Sequence, residues 1–357
     1  MKRIALLMIF IVVLAISYAQ TEVRRYTPGV TADGVVYCLP KTAMRIVVTA
    51  SYVTKHPGDF HNYARHFLRV NNVIDKKETT WTIRKVQLIP YSVADTSKTY
   101  LISLKKNTAA PLCTLSDDGI LLSVNARCDQ PKKIEPEIAD SSFTNNMNGR
   151  NYLTEEILAA GSELKMAELT AAEIYNIRDS RSELTKGEAD YMPKDGEQLR
   201  LMLSKLDEQD AALTQLFCGY TDGGTETWVV DYIPQPDKKR DVLMRFSINK
   251  GFADADDLSG EPVYINVINK KTVPMGRVAL TDKKLINKVL FYNIPSQAEV
   301  ELTFRGESLL KQNLPIAQFG HEEYLSEDLF NKRNTCHIWF NPLTGNISKI
   351  EDDTIGK

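Results

Sequence analysis

The sequence predicts an α+β protein in which two β-rich, sandwich-like regions flank a long antiparallel helical hairpin. Three observations carry this. Segments rich in β-branched and aromatic residues, punctuated by turn residues, fill the chain up to about residue 128 and resume after 219. Residues 129–150, "DQPKKIEPEIADSSFTNNMNGR", hold prolines, asparagines and charges with no surviving period, so they read as a linker. Between them, from 151 to 218, apolar residues recur at helical spacing.

The first residues address the chain. Lys2 and Arg3 precede an apolar run from Ile4 to Ile16, and Ser17-Tyr18-Ala19 offers small residues at a peptidase site. This is the pattern of a secretory signal peptide over 1–19, with a mature chain from Gln20. The run is short for a membrane span, and no later segment is long and apolar enough to be one. Removing Lys2 and Arg3 takes the formal charge from −2 to −4. That balance argues against nucleic acid as a partner. The expected location is the periplasm or cell envelope.

The N-terminal β-rich region, 20–128, contains the strand candidates "VVYCLP", "MRIVVTASYV", "TTWTIRKVQLIP" and "TYLISL". Asp117-Asp118-Gly119 predicts a hairpin turn. One helix interrupts the strands. Phe60, Tyr63, Ala64, Phe67 and Leu68 form one apolar stripe, expected to pack on a sheet, with Asp59 as N-cap. His56, His61 and His66 stand five apart, which turns successive side chains by about 140° on a helix. Metal pairs on one helix need spacings of three or four, so these histidines are expected at the edges of a packing helix.

In the hairpin region the expected elements are either one helix from Thr154 or two broken near Leu169, where Thr170–Glu173 fits a capping box. Thr170, Ile174, Ile177, Arg181 and Leu184 follow alternating fours and threes. Leu199, Leu203, Leu206, Asp210, Leu213 and Phe217 repeat the pattern after a turn with Gly187, Pro193 and Gly196. Such a seam packs against another helix. Arg181 and Asp210 fall on it; a buried pair there would fix register more than add stability, and otherwise both snorkel to solvent. Residues 219–357 return to strands, "TETWVVDYIP", "DVLMRFSIN", "EPVYINVIN", "KVLFYNIP" and "AEVELTFRG", then a helical turn at "YLSEDLF" and a last hairpin turning at Asn341–Gly345.

The chemistry-bearing patterns are weak. S-x-x-K at Ser103–Lys106, Ser162–Lys165 and Ser308–Lys311 lacks its companion motifs. Cys336 and His337 are adjacent in a strand, so they point to opposite faces. "DADDLSGE" (Asp254–Glu261) misplaces the glycine of a calcium loop. "DGGTE" (Asp222–Glu226) lacks the lysine and helix of a phosphate loop. Trp81, Trp228 and Trp339 are expected in cores, not on a glycan platform. Five cysteines leave at least one unpaired; Cys113 and Cys128, flanking a hairpin, are the pair best placed to bridge, against a reading of all five as small buried hydrophobes. No cofactor or metal is expected.

"VVYCLPKT", "PGDFHNYARHFL", "DDGILLSVN", the whole hairpin stretch from "KMAELTAAEIYNIRDSRSELTKG" to "LTQLFCG", "LPIAQFGHEEYLSEDLF" and "FNPLTGNISKI" together resemble a Bacteroidota family defined by the domain of unknown function 4831. The resemblance implies an exported envelope protein and no particular activity, so no functional residue carries over. It also gives Asp353–Ile355 the form of a short O-glycosylation acceptor. The expected function is a non-catalytic binding or interaction protein whose partner is an envelope protein or surface polymer. Its expected partner-binding element is the hairpin seam: Ile174, Ile177, Arg181, Leu199, Leu203, Leu206, Asp210 and Leu213. The alternatives are a glycan or peptide hydrolase with carboxylates assembled by the fold, and a structural subunit forming oligomers.

Overall fold

The computed structural model describes residues 22–25, 34–103, 112–138, 140–144, 147–274, 289–326 and 336–352. The signal-peptide segment, Lys106 and Asp353–Ile355 lie outside them. The elements run β1 Glu22–Arg25, β2 Gly34–His56, a 3-10 turn His61–Tyr63, α1 Ala64–Phe67 and β3 Glu78–Ser103. Then come β4 Cys113–Leu115, β5 Leu121–Val124, β6 Ser141–Phe143, a 3-10 turn Gly149–Tyr152, α2 Glu155–Leu158, α3 Glu163–Lys186 and α4 Gly196–Cys218. The rest is β7 Tyr220–Tyr232, β8 Arg240–Ser247, β9 Gly251–Ala253, β10 Glu261–Asn269, β11 Val289–Phe304, β12 Glu307–Ser326, β13 Cys336–Phe340 and β14 Ile347–Asp352. The protein is mostly strand, with a helical pair.

Several expected short strands fuse. "VVYCLP" and "MRIVVTASYV" become the single β2, and β3 absorbs both of its candidates. Register shifts at Cys38/Leu39 and Thr49/Ala50 bend the β2–β3 ribbon. β11 likewise joins two expected strands across a shift at Ile294/Ser296, where Pro295 sits. The expected strands stop at Pro40, Pro90 and Pro295, residues that cannot donate to a ladder. Here they sit at bulges or turn their nitrogen away from it.

Three sheets result, ordered β1-β3-β2-β7-β6, β12-β11-β10-β8-β9 and β14-β13-β5-β4. Two of them cross the expected N- and C-terminal boundaries. β7 pairs β2 from Met44 to His56, and β13 pairs β5. The linker contributes β6, which pairs β7. The two β-rich regions are therefore interleaved. The two five-stranded sheets share a core of Met44, Ile46, Val48, Val263, Ile265, Val300 and Ile316. The other ends of the same long strands bury Tyr37, Tyr100, Ile102 and Leu290 with Ile338 and Phe340 of the third sheet.

The helical region departs in detail. The break falls at residues 159–162, where Ser162 caps α3 by accepting from Lys165 N. Thr170 is buried mid-helix, and its hydroxyl donates back to Met166 O at 2.7 Å, so it caps nothing. Gly187, at φ 77°, ends α3, and Asp195 caps α4. Arg178–Asp210 and Arg181–Asp207 ion pairs set the two helices antiparallel. Phe60, Ala64 and Leu68 form the expected buried stripe, but it packs on α3 and α4, not on a sheet. Asp59 pairs with Arg150 at 2.7 Å and leaves the α1 turn without a side-chain cap. The expected helical turn at "YLSEDLF" is strand β12 over Tyr324–Ser326, where Leu325 packs in the second core. Both expected turns form: Gly119 and Gly345 take φ 79° and 74°.

One polar cluster joins the layers. Ahead of Met44, β2 has on its β7 side only the isolated bridge Cys38–Ile120 among the described residues. There the Gln318 carboxamide accepts from Thr42 N and donates to Thr42 O, both at 2.9 Å, as a neighbouring backbone would. Asn293 Nδ2 donates to Pro40 O and Thr344 O, tying in the β13–β14 turn. Thr42 is wholly buried. Replacing Gln318 by Leu orphans its N–H and C=O, and urea denaturation should register a loss of about 2–5 kcal/mol. A loss under about 0.5 kcal/mol would mean the backbone is satisfied otherwise.

A three-residue bulge in β3 separates Asp95 from Thr99, which pair consecutive β2 residues. Burial pushes the Asp95 carboxyl up, but donors from Ser97 and the Lys41 ammonium at 2.9 Å outweigh it and hold it low. A lowered native pKa adds stability above the unfolded value, about 4, that is lost as pH falls through the native value. The destabilisation by Asp95→Asn should thus be largest near neutral pH and shrink below about pH 4. A deficit constant with pH in thermal melts would contradict this.

Candidate functional site

A groove of about 810 Å³ lies on the outer side of the first sheet. Its floor comes from β2 and β3, which place Arg45, Ile89, Tyr91 and Val93 on one face by strand alternation. Residues 130–135 of the expected linker form a strap along it, and the turns at 116–118 and 342–343 close it. The strap is held at its ends: Gln130 Nε2 donates to Leu115 O at 2.8 Å, and Glu137 reaches Lys85 at 3.8 Å.

The floor is fixed electrostatically. Arg45 makes a two-pronged pair with Asp231 of β7, at 2.8 and 2.9 Å. Its guanidinium lies 5.4 Å from the centre of the Tyr91 ring. Arg45 holds the Asp231 carboxyl below the usual range, and burial pushes the Tyr91 phenol up. Tyr91 therefore stays neutral at physiological pH, a flat aromatic surface with a polar tip. The walls carry Asp117, Asp118, Lys132 and Lys133. The groove thus combines a largely apolar floor, few convergent polar groups and mixed charge at the rim.

The seam residues named from sequence are placed differently. Ile174, Ile177 and Leu213 are buried in the cluster with Phe60 and Phe217, and Leu206 packs against it. The first three are consumed by the chain's own packing, so another chain cannot reach them, and Leu206 is partly so. Leu199 and Leu203 are half-buried farther along α4. Arg181 and Asp210 do not meet; each pairs one turn away and keeps solvent access.

The other sequence candidates disperse. His56 pairs with Asp222 at 2.9 Å and stacks on Tyr220, His61 Nδ1 meets Gly58 O, and His66 sits edge-on to Phe67. No group of three His, Cys, Asp or Glu gathers as for a metal among the described residues. Cys113 and Cys128 are free thiols, and burial pushes Cys113 up to about 11. The "DADDLSGE" loop is tied by Arg245, which donates to Ala255 O and Gly260 O. Trp81 and Trp228 pack around Phe252, while Trp339 carries the Lys349 ammonium, so they form no common platform. Among the described residues, each carboxylate whose pKa moves, Asp95, Glu208, Asp231, Asp257, Glu261 or Glu299, moves down.

The groove was not visible in the sequence because its lining comes from five separated stretches. The prolines at 90 and 131 were its only local signals, and each read as an element boundary.

Comparison with curated proteins and with solved structures gave no match. A family model does match, across residues 33–348, nearly the whole described chain. It spans the β2–β3 ribbon, the strap, the hairpin and the β13–β14 turn, and by it the chain belongs to the family of the domain of unknown function DUF4831.

Proposed function

We propose that this is an exported, non-catalytic binding protein of the cell envelope whose ligand, an envelope protein or surface polymer, lies in the groove under the strap. We read the two five-stranded sheets as a sandwich that holds the groove rigid. The observation that carries the binding reading is the neutral, half-buried Tyr91 beside the locked Arg45–Asp231 pair, in a groove open enough for a chain-like ligand. A hydrolase would need one carboxylate kept protonated near neutral pH beside an ionised one. Asp231, beside the groove floor, is instead held ionised by Arg45.

Peptide, glycan and peptidoglycan-fragment arrays probed with the purified full chain test the reading. Tyr91→Ala should weaken any captured ligand by about tenfold or more, as loss of a central aromatic contact does, while the melting temperature stays near that of the parent. Retention of full affinity by Tyr91→Ala would remove the groove as the site.

A structural-subunit reading rests on the far half of the hairpin, where Leu201 and Tyr191 are 61% and 64% exposed. It predicts a stable oligomer in light scattering that Leu201→Glu dissolves. A monomer at all concentrations would end it.

A further inference from the structure

We propose that the groove takes an extended peptide of another protein, which adds as a strand to the open edge of β3 between Pro90 and Ala94. The inference rests on the groove being the binding site, and deepens it by naming the ligand's chemistry.

The geometry follows from Thr42. Both its backbone groups are used by Gln318, on the side away from β3. Thr42 pairs with Ser92, so this pair is a non-hydrogen-bonded one in the antiparallel ladder. Ser92 then turns its own N–H and C=O outward, away from β2. By alternation Pro90 and Ala94 do the same. Pro90 has no N–H to offer, and that is why a proline is tolerated mid-strand there. The outward groups are thus the N–H of Ser92 and Ala94 and the C=O of Pro90, Ser92 and Ala94. Among the described residues no backbone group bonds to them.

Two further observations point to a strand as the occupant. All six residues from Ile89 to Ala94 line the groove, so it follows the strand's edge and does not merely touch one face. The same edge already accepts a strand farther along, where β1 pairs antiparallel with Tyr100–Ser103. The groove continues that pairing surface beyond the Asp95 bulge. Its walls add charge. Asp117 and Asp118 on the turn, and Lys132 and Lys133 on the strap, have no ion-pair partner among the described residues. A peptide carrying one basic and one acidic residue, separated by alternating β-formers, complements both walls. Main-chain bonds supply affinity in such complexes and alternate side chains supply selectivity.

The test starts from a displayed library of random heptapeptides panned on the purified full chain. The strongest binder is titrated calorimetrically against the parent protein, Ser92→Pro and Tyr91→Ala. Ser92→Pro removes one outward N–H and leaves the β2 ladder intact, as Pro90 does naturally. It should lower peptide affinity by about tenfold, the upper range for one lost hydrogen bond, with the melting temperature held. In parallel, each backbone nitrogen of the peptide is methylated in turn. Strand addition predicts losses at alternate positions only, a readout that stands even if Ser92→Pro fails to fold. Uniform tolerance of methylation, or undiminished binding to a folded Ser92→Pro, would overturn strand addition. If Tyr91→Ala still abolished that binding, the groove would remain the site. Capture of glycans but no peptide would likewise overturn strand addition and leave the groove reading standing. Binding indifferent to Tyr91→Ala would sink the groove itself.

Discussion

The architecture depends on how β2 is completed on its β7 side once β7 has ended. A buried strand must have every backbone group satisfied, and a bare edge inside a core costs about 1–3 kcal/mol per group. β7 covers β2 only from Met44 onward. Ahead of that point the chain substitutes side-chain amides for a strand: Gln318 for Thr42, and Asn293 for Pro40 O. These residues belong to β12 and β11 of the facing sheet. The same contacts that finish one sheet therefore clamp it to the next, and the β13–β14 turn is drawn in through Thr344 O. Gly345 is needed there, since a Cβ would lie 2.6 Å from Pro40 Cδ.

That clamp positions the groove. With β2 fixed at Pro40 and Thr42, β3 is held in register, and Arg45, Tyr91 and Asp231 meet across three strands. The Arg45–Asp231 pair is surface-exposed, so its contribution to stability is small after solvent screening. Its role is to orient, since a guanidinium held by both carboxylate oxygens presents its face to Tyr91. The strap is tethered near its ends and has no strand pairing over 129–138. Rigid floor and irregular roof is a common division of labour in binding sites.

Local structure was legible in the sequence where local chemistry decides it. Asp117-Asp118-Gly119 and Asn341–Gly345 announced their turns, the Phe60–Leu68 stripe announced a buried helical face, and the two apolar seams announced an antiparallel helical pair. Errors arose where a distant partner changed the meaning of a residue. The strand candidates stopped at Pro40 and Pro90, yet both prolines place the missing N–H off the β2–β3 ladder, so the strands run on. Asp59 read as a cap, but Arg150, ninety-one residues on, claims its carboxylate. Thr170 read as a cap because a break upstream, held by Ser162, was not visible in the apolar spacing. The seam was correctly periodic, but period says only that a face is buried, not against what. The groove was illegible altogether, because pairing of β7 with β2 is topology.

Open strand edges invite unintended pairing, and proteins blunt them with prolines, bulges and coverings. The outer edge of β3 shows all three in sequence. Near its start Trp81 N is bonded to Ile248 O at 2.6 Å. Pro90 removes a donor, the Asp95 bulge interrupts the line, and β1 covers the end from Tyr100. Between Pro90 and the bulge lies one short run of outward backbone groups, too short to template an aggregate. It is flanked by an aromatic floor and by Asp117, Asp118, Lys132 and Lys133, which have no ion-pair partner among the described residues. The proline and the bulge bound that run and make it selective. A ligand can add there only if it is extended, fits beneath the strap and brings charges that match both walls.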